Sequence, residues 1–449
     1  MLGGFILFLA KRFIRFVAPS VLSMWIFSLY SMVDGFFVSH GVGGHALAAV
    51  NLSMPYINTV FAIGLILAVG SSTVLSIALG QKDQKLANDC FNQNLVVVAL
   101  VCAIVSVLTL LNLDGVARFL GSTAPTHGYV REYIGTLAPF MPFFAVSYNL
   151  EVQVKAANAP QVSAVGVVSC ALTNVLLDYL FVMRFGWGVA GAAAATGIAQ
   201  VVSTIIFFLF FLRGKAVLRF GRFTPRPGLY RRILPLGLAD GMTEFSNAIV
   251  IFTFNQVILR VIGEGALISY TIISYLNTLV LMTMSGISQG IQPLVSFYHG
   301  AGESRYCEVL RRYGLLTGAV CSALFLIFSQ AAPQLLVGFF LDGSDPALFD
   351  SSVRALRLYS LCFLLIGFNV IWAGYFTAIE RPFRSLTISM GRACVLPLPC
   401  LVFLPMLAGE SGVWLAPLAS EGICLLLACF LIRRYRREQA RQAVPHPSL

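Results

Sequence analysis

The chain has 449 residues, of which 58% are hydrophobic and only 11% are charged. A soluble globular protein usually carries charge on about 25% of its residues. The apolar residues also fall in long runs of about 20, the length that crosses a bilayer as a helix. This composition excludes a soluble globular protein. The net charge of +11 does not indicate a nucleic-acid partner, because most Lys and Arg residues lie in short segments between apolar runs.

Apolar runs between charge and turn clusters predict an all-α membrane protein with twelve transmembrane helices, six in each half of the chain. The first six are expected at roughly 14–38, 51–79, 93–112, 131–153, 161–183 and 189–212. The second six are expected at roughly 233–261, 266–298, 314–338, 355–378, 384–407 and 412–432.

Lys and Arg are distributed unequally between the two sides of this bundle. One side collects the basic N-terminus, the basic residues of the central segment 213–232 and the cluster Arg433, Arg434, Arg436, Arg437 and Arg441. The opposite side has few basic residues and an acidic loop with Asp342, Asp345 and Asp350. Because cytoplasmic loops carry the excess of Lys and Arg, we predict a multi-pass protein of the plasma (inner) membrane with both termini in the cytoplasm.

The two halves of the chain are related by a tandem repeat. An offset of about 220 residues brings segment 42–47 over 262–267 and segment 76–80 over 296–300. Parallel repeats of this kind are typical of transporters that alternate access to a site between two lobes. We predict an N-lobe at 1–212, a basic cytoplasmic linker at 213–232, a C-lobe at 233–433 and a cytoplasmic tail at 434–449.

Acidic residues within the predicted spans are candidates for function, because an ionisable group at a helix centre is expensive by at least about 2.5–3.5 kcal/mol. They are Asp34, Glu151, Asp178, Asp240, Glu244 and Glu421. We expect Glu151 at the cytoplasmic interface and regard Glu421 as the weakest candidate of the six.

A small oxygen-rich cluster is expected around Asp34 and Asp178. Asn174 precedes Asp178 by one helical turn, and Asn149 and Thr196 lie on the flanking helices. Buried carboxylates with amide and hydroxyl oxygens suit a proton or a hard cation such as Na⁺. The alternative is that both carboxylates merely border the external water.

Pro19 lies inside the first predicted span, where it removes a backbone hydrogen bond and permits a bend. The alternative for Pro19 is an ordinary packing kink. A bendable helix that also carries Asp34 would couple ion binding to motion.

Several segments together resemble the MATE (multidrug and toxic compound extrusion) family, and within it the branch related to DNA-damage-inducible protein F. Pro19 is followed by Val33-Asp34-Gly35-Phe36-Phe37-Val38, and the other similar segments are 174–178, 191–196, 286–293 and 374–382. The likeness extends from about residue 12 to residue 435.

The resemblance implies a V-shaped transporter with two pseudo-symmetric six-helix lobes, which expels small organic compounds, often cationic or amphipathic, in exchange for H⁺ or Na⁺. It implies a cation site at Asp34, Asn174, Asp178 and Thr196, with Asn149 as a further member and Pro19 as the bending proline. Na⁺ would bind at Asp34, Asn174 and Asp178. The tenth helix lacks an acidic residue at 371–375 that other branches use, so we expect coupling through the N-lobe. No cofactor besides the coupling ion, no structural metal and no nucleic acid is expected, and the protein is expected to act as a monomer in the bilayer.

The candidate substrate cavity comprises Tyr148, Glu244, Asn255, Tyr275 and Trp372. An intramembrane enzyme is a competing function, but no HExxH, GxSxG or Walker A sequence occurs, and the five histidines fall in loops, tails or span ends. A flippase for a lipid-linked substrate, from the same superfamily, is the closer alternative. It would need several basic residues in its cavity, where Arg392 is the main candidate. A passive channel would need no lobe-sized repeat.

Overall fold

The computed structural model describes residues 2–213, 216–341 and 345–442, with the main chain alone at 2–6, 31, 44, 248 and 440–442. These ranges are helical and contain no β-strand. Ten helices within them are long and apolar enough to cross a membrane, which agrees with the prediction of an all-α membrane protein. The predictions for Lys215, Asp342, the Arg441 side chain and the tail beyond residue 442 fall outside the described residues.

The first half of the chain forms six long helical segments, which we number α1 to α6. They are α1 Leu2–Gly41, α2 Gly44–Gly80, α3 Gln84–Leu111, α4 in two pieces (Ala124–Leu137 and Met141–Ala156), α5 Pro160–Asp178 with a π-helical turn Tyr179–Arg184, and α6 Gly188–Leu212. The break in α4 is a 3₁₀ turn, Ala138–Phe140, next to Pro139 and Pro142. Proline cannot donate the hydrogen bond that a continuous α-helix needs there.

The second half forms α7 to α12 in the same order. They are α7 Tyr230–Val261, α8 Gly265–Gly300, α9 Ser304–Ala331, α10 in two pieces (Pro346–Ser360 and Phe363–Ala378), α11 from Pro382–Met390 through a π-helical turn Gly391–Val395 to a kink at Gly409, and α12 from that kink to Gln442. Gly409 has φ 55° and ψ −134°, a conformation essentially restricted to glycine.

Each of the twelve predicted spans overlaps one of these helices, but several ends differ. The ninth span was expected to reach about residue 338, whereas α9 ends at Ala331 because Pro333 starts a separate short helix, Pro333–Gly338. The twelfth was expected to end near 432, whereas α12 continues to Gln442. Basic residues stabilise the C-terminal end of a helix, so the arginine cluster extends α12 beyond the apolar run.

Glycines allow the two lobes to pack backbone against backbone. A side chain on Gly80 of α2 would collide with the carbonyl oxygen of Phe297 in α8, and one on Gly300 of α8 would collide with the carbonyl oxygen of Ile77 in α2. The two contacts exchange equivalent positions of the repeat. We call this contact between the lobes the seam, and its pairing supports the pseudo-twofold relation predicted from the repeat.

The seam is closed at one end of the molecule. We call the end that carries Lys82, Arg305 and Arg381 the basic end and the opposite end the far end. The glycine contacts of the seam fall at positions 70 and 80 in α2, 237 and 241 in α7, and 286, 290 and 300 in α8. All of these positions lie in the halves of the helices that point to the basic end, so the lobes meet there most closely.

The linker is bound to the N-lobe by side chains at the start of α3. Asn92 donates to the Arg219 carbonyl (2.9 Å) and accepts from the Gly221 amide (3.2 Å), while Gln93 accepts from the Arg226 amide (2.6 Å). The carboxylate of Asp89 pairs with the Arg226 side chain at 3.2 Å. We call this set of contacts the linker clasp. Through the clasp, the described linker residues are fixed to the N-lobe up to Arg226.

Candidate functional site

Asp34 and Asp178 face each other inside the N-lobe. Asp34 lies seven residues before the end of α1 and is 8% exposed, and Asp178 ends the regular part of α5 and is fully buried. Their carboxyls lie close enough to share a hydrogen bond if one of them carries a proton. Two carboxylates so close and so buried repel each other, and a proton or a cation between them would offset this repulsion.

The oxygens of this cluster lack donors. Asp34 Oδ1, both carboxylate oxygens of Asp178 and the Oδ1 atoms of Asn149 and Asn174 are buried without a hydrogen-bond partner among the described residues. Most buried polar atoms in proteins are paired, so a group of unpaired oxygens calls for an explanation. Oxygen atoms of carboxylates and amides are the ligands that a hard cation prefers, and a proton would satisfy the carboxylates equally.

The Asn174 side chain is oriented by Thr196. Its Nδ2–H group donates to Thr196 Oγ1 at 3.3 Å, which leaves Oδ1 directed elsewhere and places the amide beside Asp178. Asn149 is fully buried on α4 with both polar atoms of its amide unpaired. The five predicted members of the cation site are therefore all interior residues of one lobe. No group of three or more His, Cys, Asp or Glu side chains that could hold a metal occurs in the described residues.

Two tyrosines were missed by the sequence analysis. Tyr30 lies one turn before Asp34 on α1, and Tyr133 lies on the first piece of α4 near both carboxyls. Tyr30 is 8% exposed and Tyr133 is 2% exposed. The four-residue spacing of Tyr30 from Asp34 was a usable signal. No local pattern could bring Tyr133 to the site.

Pro19 lies where α1 crosses α8. A side chain on Gly290 would come within 2.8 Å of Val17 Cα, and one on Gly286 within 2.6 Å of Val21 Cα. The proline thus sits between two close contacts of the seam. α1 remains one helix from Leu2 to Gly41, so the predicted bend stays a prediction.

A second polar group lies where the N-lobe faces the C-lobe. Tyr148 on α4 is close to Asp240 and Glu244, which lie one turn apart on α7, and to Gln289 on α8. The Tyr148 hydroxyl, Asp240 Oδ2 and Gln289 Oε1 are buried without a partner within the described chain. Phe61 packs against Tyr148 with ring centroids 5.0 Å apart. We call this set of residues the inter-lobe group; it combines acidic, neutral polar and aromatic side chains.

The other candidates for the substrate cavity lie elsewhere. Asn255 is half-buried on α7, about 16 Å along the helix from Glu244 by the rise per residue. Tyr275 stacks on Phe340 at 5.5 Å in an apolar cavity between α1 and α8. Trp372 was placed wrongly, because it packs inside the C-lobe near the basic end, under the guanidinium of Arg311 at 4.5 Å.

Glu151 and Lys155 form a buried ion pair rather than an interfacial residue and a loop residue. Their charged atoms are 2.8 Å apart, and the Lys155 side chain is only 2% exposed. Ser163 donates to Glu151 Oε1 at 3.0 Å. The prediction placed both residues near cytoplasmic water because the chain turns at Ala157. In the structure, α5 covers this turn and buries the pair.

Glu421 is the centre of a polar cluster in the C-lobe. Its carboxylate accepts from Arg392 at 2.9 Å and from Asn369 at 2.6 Å. Arg392 lies in the π-helical turn of α11, and the pair lines a cavity of about 220 Å³ between α7, α8, α10 and α12. The charges of the two residues therefore compensate each other within the lobe.

Comparison with known proteins identifies a family. A family model described as MatE matches the chain twice, at residues 19–180 and 241–402. The two matched segments are equally long and begin about 220 residues apart, one in each lobe. The multidrug export protein MepA of Staphylococcus saprophyticus is 23% identical over 425 residues, which cover 94% of this chain and 93% of that protein.

Solved structures share the fold. The outward-facing conformation of a multidrug resistance MATE family transporter of the MOP superfamily superposes with a TM-score of 0.90 at 20% identity, covering 96% of this chain and 97% of that chain. A MOP superfamily transporter from Pyrococcus furiosus, whose binding pocket is described as reversed in polarity, gives a TM-score of 0.87 at 21% identity and covers 95% of each chain.

Proposed function

The chain belongs to the MATE family, and from this premise we propose that it is a secondary active exporter of small organic molecules, driven by inward movement of H⁺ or Na⁺. The observation that carries this proposal is the pair of facing carboxyls, Asp34 and Asp178, enclosed in the N-lobe with oxygens that lack donors. Such a pair holds a cation or proton more favourably than it stays doubly charged. Binding there is therefore able to supply a driving force.

The inter-lobe group is our candidate for the substrate site. Asp240 and Glu244 lie on the same face of α7 and offer negative charge, while Phe61 and Tyr148 offer aromatic surface. Organic cations are recognised by acidic and aromatic groups of this kind. This combination favours cationic or amphipathic substrates.

The flippase alternative depends on a cavity that attracts a diphosphate. Arg392, the residue on which that alternative rested, is already engaged by Glu421 at 2.9 Å. A compensated arginine attracts an anion weakly, since the carboxylate must first be displaced. The acidic inter-lobe group also repels a diphosphate. Export of organic cations is the better supported function.

Orientation follows from the charged loops. The basic end lies in the cytoplasm, because Lys and Arg accumulate on the cytoplasmic side of membrane proteins. Since the seam is closed at that end, the conformation described is open to the outside. A coupling ion entering from outside reaches Asp34 in this state, and closure of the far end then delivers it to the cytoplasm. Pro19 would give α1 the freedom to bend during this exchange.

The test is transport by purified protein in proteoliposomes, with a fluorescent organic cation such as ethidium and with Na⁺ and pH gradients imposed separately. We expect Asp34→Asn and Asp178→Asn each to reduce gradient-driven flux about tenfold or more, equivalent to a loss of at least 1.4 kcal/mol of coupling. The matched control is Asp114→Asn, an exposed carboxylate that pairs with Arg131 on the surface at 3.5 Å. Undiminished driven flux in both carboxylate variants would defeat the proposed site.

A further inference from the structure

A cavity of about 410 Å³ opens at the basic end of the C-lobe. Its walls are the ends of α8, α10 and α12 and the first turns of α9. Three arginines line it, Arg305, Arg311 and Arg436, and the lining contains one carboxylate, that of Glu308. We call this cavity the basic pocket. Its lining therefore carries an excess of positive charge.

Neighbouring carboxylates do not offset this excess. Glu438 is held by Arg384 at 2.6 Å and by Arg434 at 3.2 Å. Glu380 is held by Arg232, with a nitrogen–oxygen distance of 2.5 Å. Both acids are thus engaged by basic residues outside the lining, and the field inside the basic pocket stays positive.

Arg311 is held in place at the wall of the basic pocket. It is 5% exposed, and its guanidinium lies 4.5 Å from the Trp372 ring centroid and 5.9 Å from that of Tyr375. Glu308 accepts from Arg311 Nε at 3.0 Å and from its other terminal nitrogen, and it also pairs with Arg312 at 3.3 Å. An arginine fixed in this way loses little freedom when it binds an anion.

The equivalent place in the N-lobe is filled by the chain itself. There, Phe220 of the linker packs against Phe91 at 5.3 Å and against Phe211 at 5.8 Å. The repeat places Phe91 over Arg311 and Phe211 over Tyr435. The pseudo-symmetry thus pairs a groove that receives an apolar chain segment with a pocket lined by a cation and a phenol. The second pocket has the wrong chemistry for another phenylalanine and the right chemistry for an anion.

We propose that the basic pocket binds a phosphate-bearing anion, either the headgroup of an anionic phospholipid or a soluble phosphate compound. Arginine recognises phosphate through paired hydrogen bonds. Basic pockets between transmembrane helices at the headgroup level bind anionic lipid headgroups. This site is separate from the carboxyl pair and the inter-lobe group, and it does not depend on the exporter function.

Binding can be measured on the purified full-length protein by native mass spectrometry, with phosphatidylglycerol titrated against phosphatidylcholine. A second arm compares the thermal stability in inorganic phosphate and in chloride at equal ionic strength. The pocket variant is Arg305→Gln with Arg436→Gln. The control is Arg433→Gln with Arg437→Gln, which removes two exposed charges from the same end of the molecule but none from the lining. Size-exclusion chromatography checks that both variants fold.

We expect the pocket variant to lose affinity for phosphatidylglycerol about tenfold or more and the control to lose less than about twofold. Selective binding of phosphatidylglycerol without an effect of inorganic phosphate assigns the pocket to lipid. Stabilisation by inorganic phosphate that only the pocket variant loses, without lipid selectivity, assigns it to a soluble compound. Equal losses in both variants, or a wild-type protein that selects neither probe, would overturn the proposal.

Discussion

Replacing Gly80 with Ala tests whether glycine contacts hold the basic end of the seam closed. A methyl group at Gly80 would collide with the Phe297 carbonyl oxygen of the other lobe. Backbone cannot give way as a flexible side chain can, so the helices must separate. Gly80 ends α2 without a positive φ, so Ala suits its local conformation.

The size of the effect follows from where the methyl group is crowded. Overpacking costs typically about 1–3 kcal/mol, and here it arises only while the basic end is closed. Ala also favours the helix relative to Gly by about 0.5–1 kcal/mol, but this gain is present in both conformations and cancels. The ratio of closed to open molecules should therefore fall by about 5- to 150-fold, at 1.4 kcal/mol for each factor of ten.

The assay is the distance distribution between spin labels at Lys85→Cys and Glu303→Cys, one in each lobe at the basic end. The background carries Cys429→Ser, because Cys429 is the exposed cysteine of the chain. Gly80→Ala should shift the distribution to longer distances. The control is Gly128→Ala, where an added methyl group meets no atom within 4 Å. Unchanged distributions in both variants would show that the glycine contact does not hold the seam.

Three further changes test other parts of the molecule. Thr196→Val removes the acceptor that orients Asn174; since a neutral hydrogen bond contributes about 1 kcal/mol, the half-saturating ion concentration for transport should rise about fivefold. Glu421→Gln leaves Arg392 buried without its counter-charge, which should lower the stability in a thermal unfolding measurement by about 3–5 kcal/mol. Asn92→Ala removes two contacts of the linker clasp, so trypsin should cleave the linker faster.

Each of these expectations has a contrary outcome. Ion dependence unchanged in Thr196→Val would mean that Asn174 is oriented by other contacts. For the C-lobe pair, the combined Arg392→Met and Glu421→Leu substitution should recover most of the stability, because apolar residues often replace a buried ion pair without loss. A double variant as unstable as Glu421→Gln alone would contradict the electrostatic explanation. Cleavage of Asn92→Ala at the wild-type rate would show that the clasp does not protect the linker.

Much of the cation site was predictable because its signals are local. Asn174 and Asp178 are four residues apart and so share a helix face, and Asp34 lies in an apolar run where a carboxylate needs a reason. Tyr133 gave no such signal, since it reaches the carboxyls from a different helix. The pairing of Glu421 with Arg392 was missed for the same reason, because the two residues lie on helices that meet only in the folded lobe.

The amino-acid sequence alone determined the membrane environment, the twelve helices and the two-lobed repeat. These features follow from hydropathy and from spacing along the chain, which are properties of neighbouring residues. Only the tertiary structure decided which face of each helix turns inward, where the seam closes and which buried charges meet. A helix that is apolar on all sides carries no pattern that reveals its rotation. Trp372 was misplaced and Lys155 was taken for a loop residue because such contacts arise only when the helices pack.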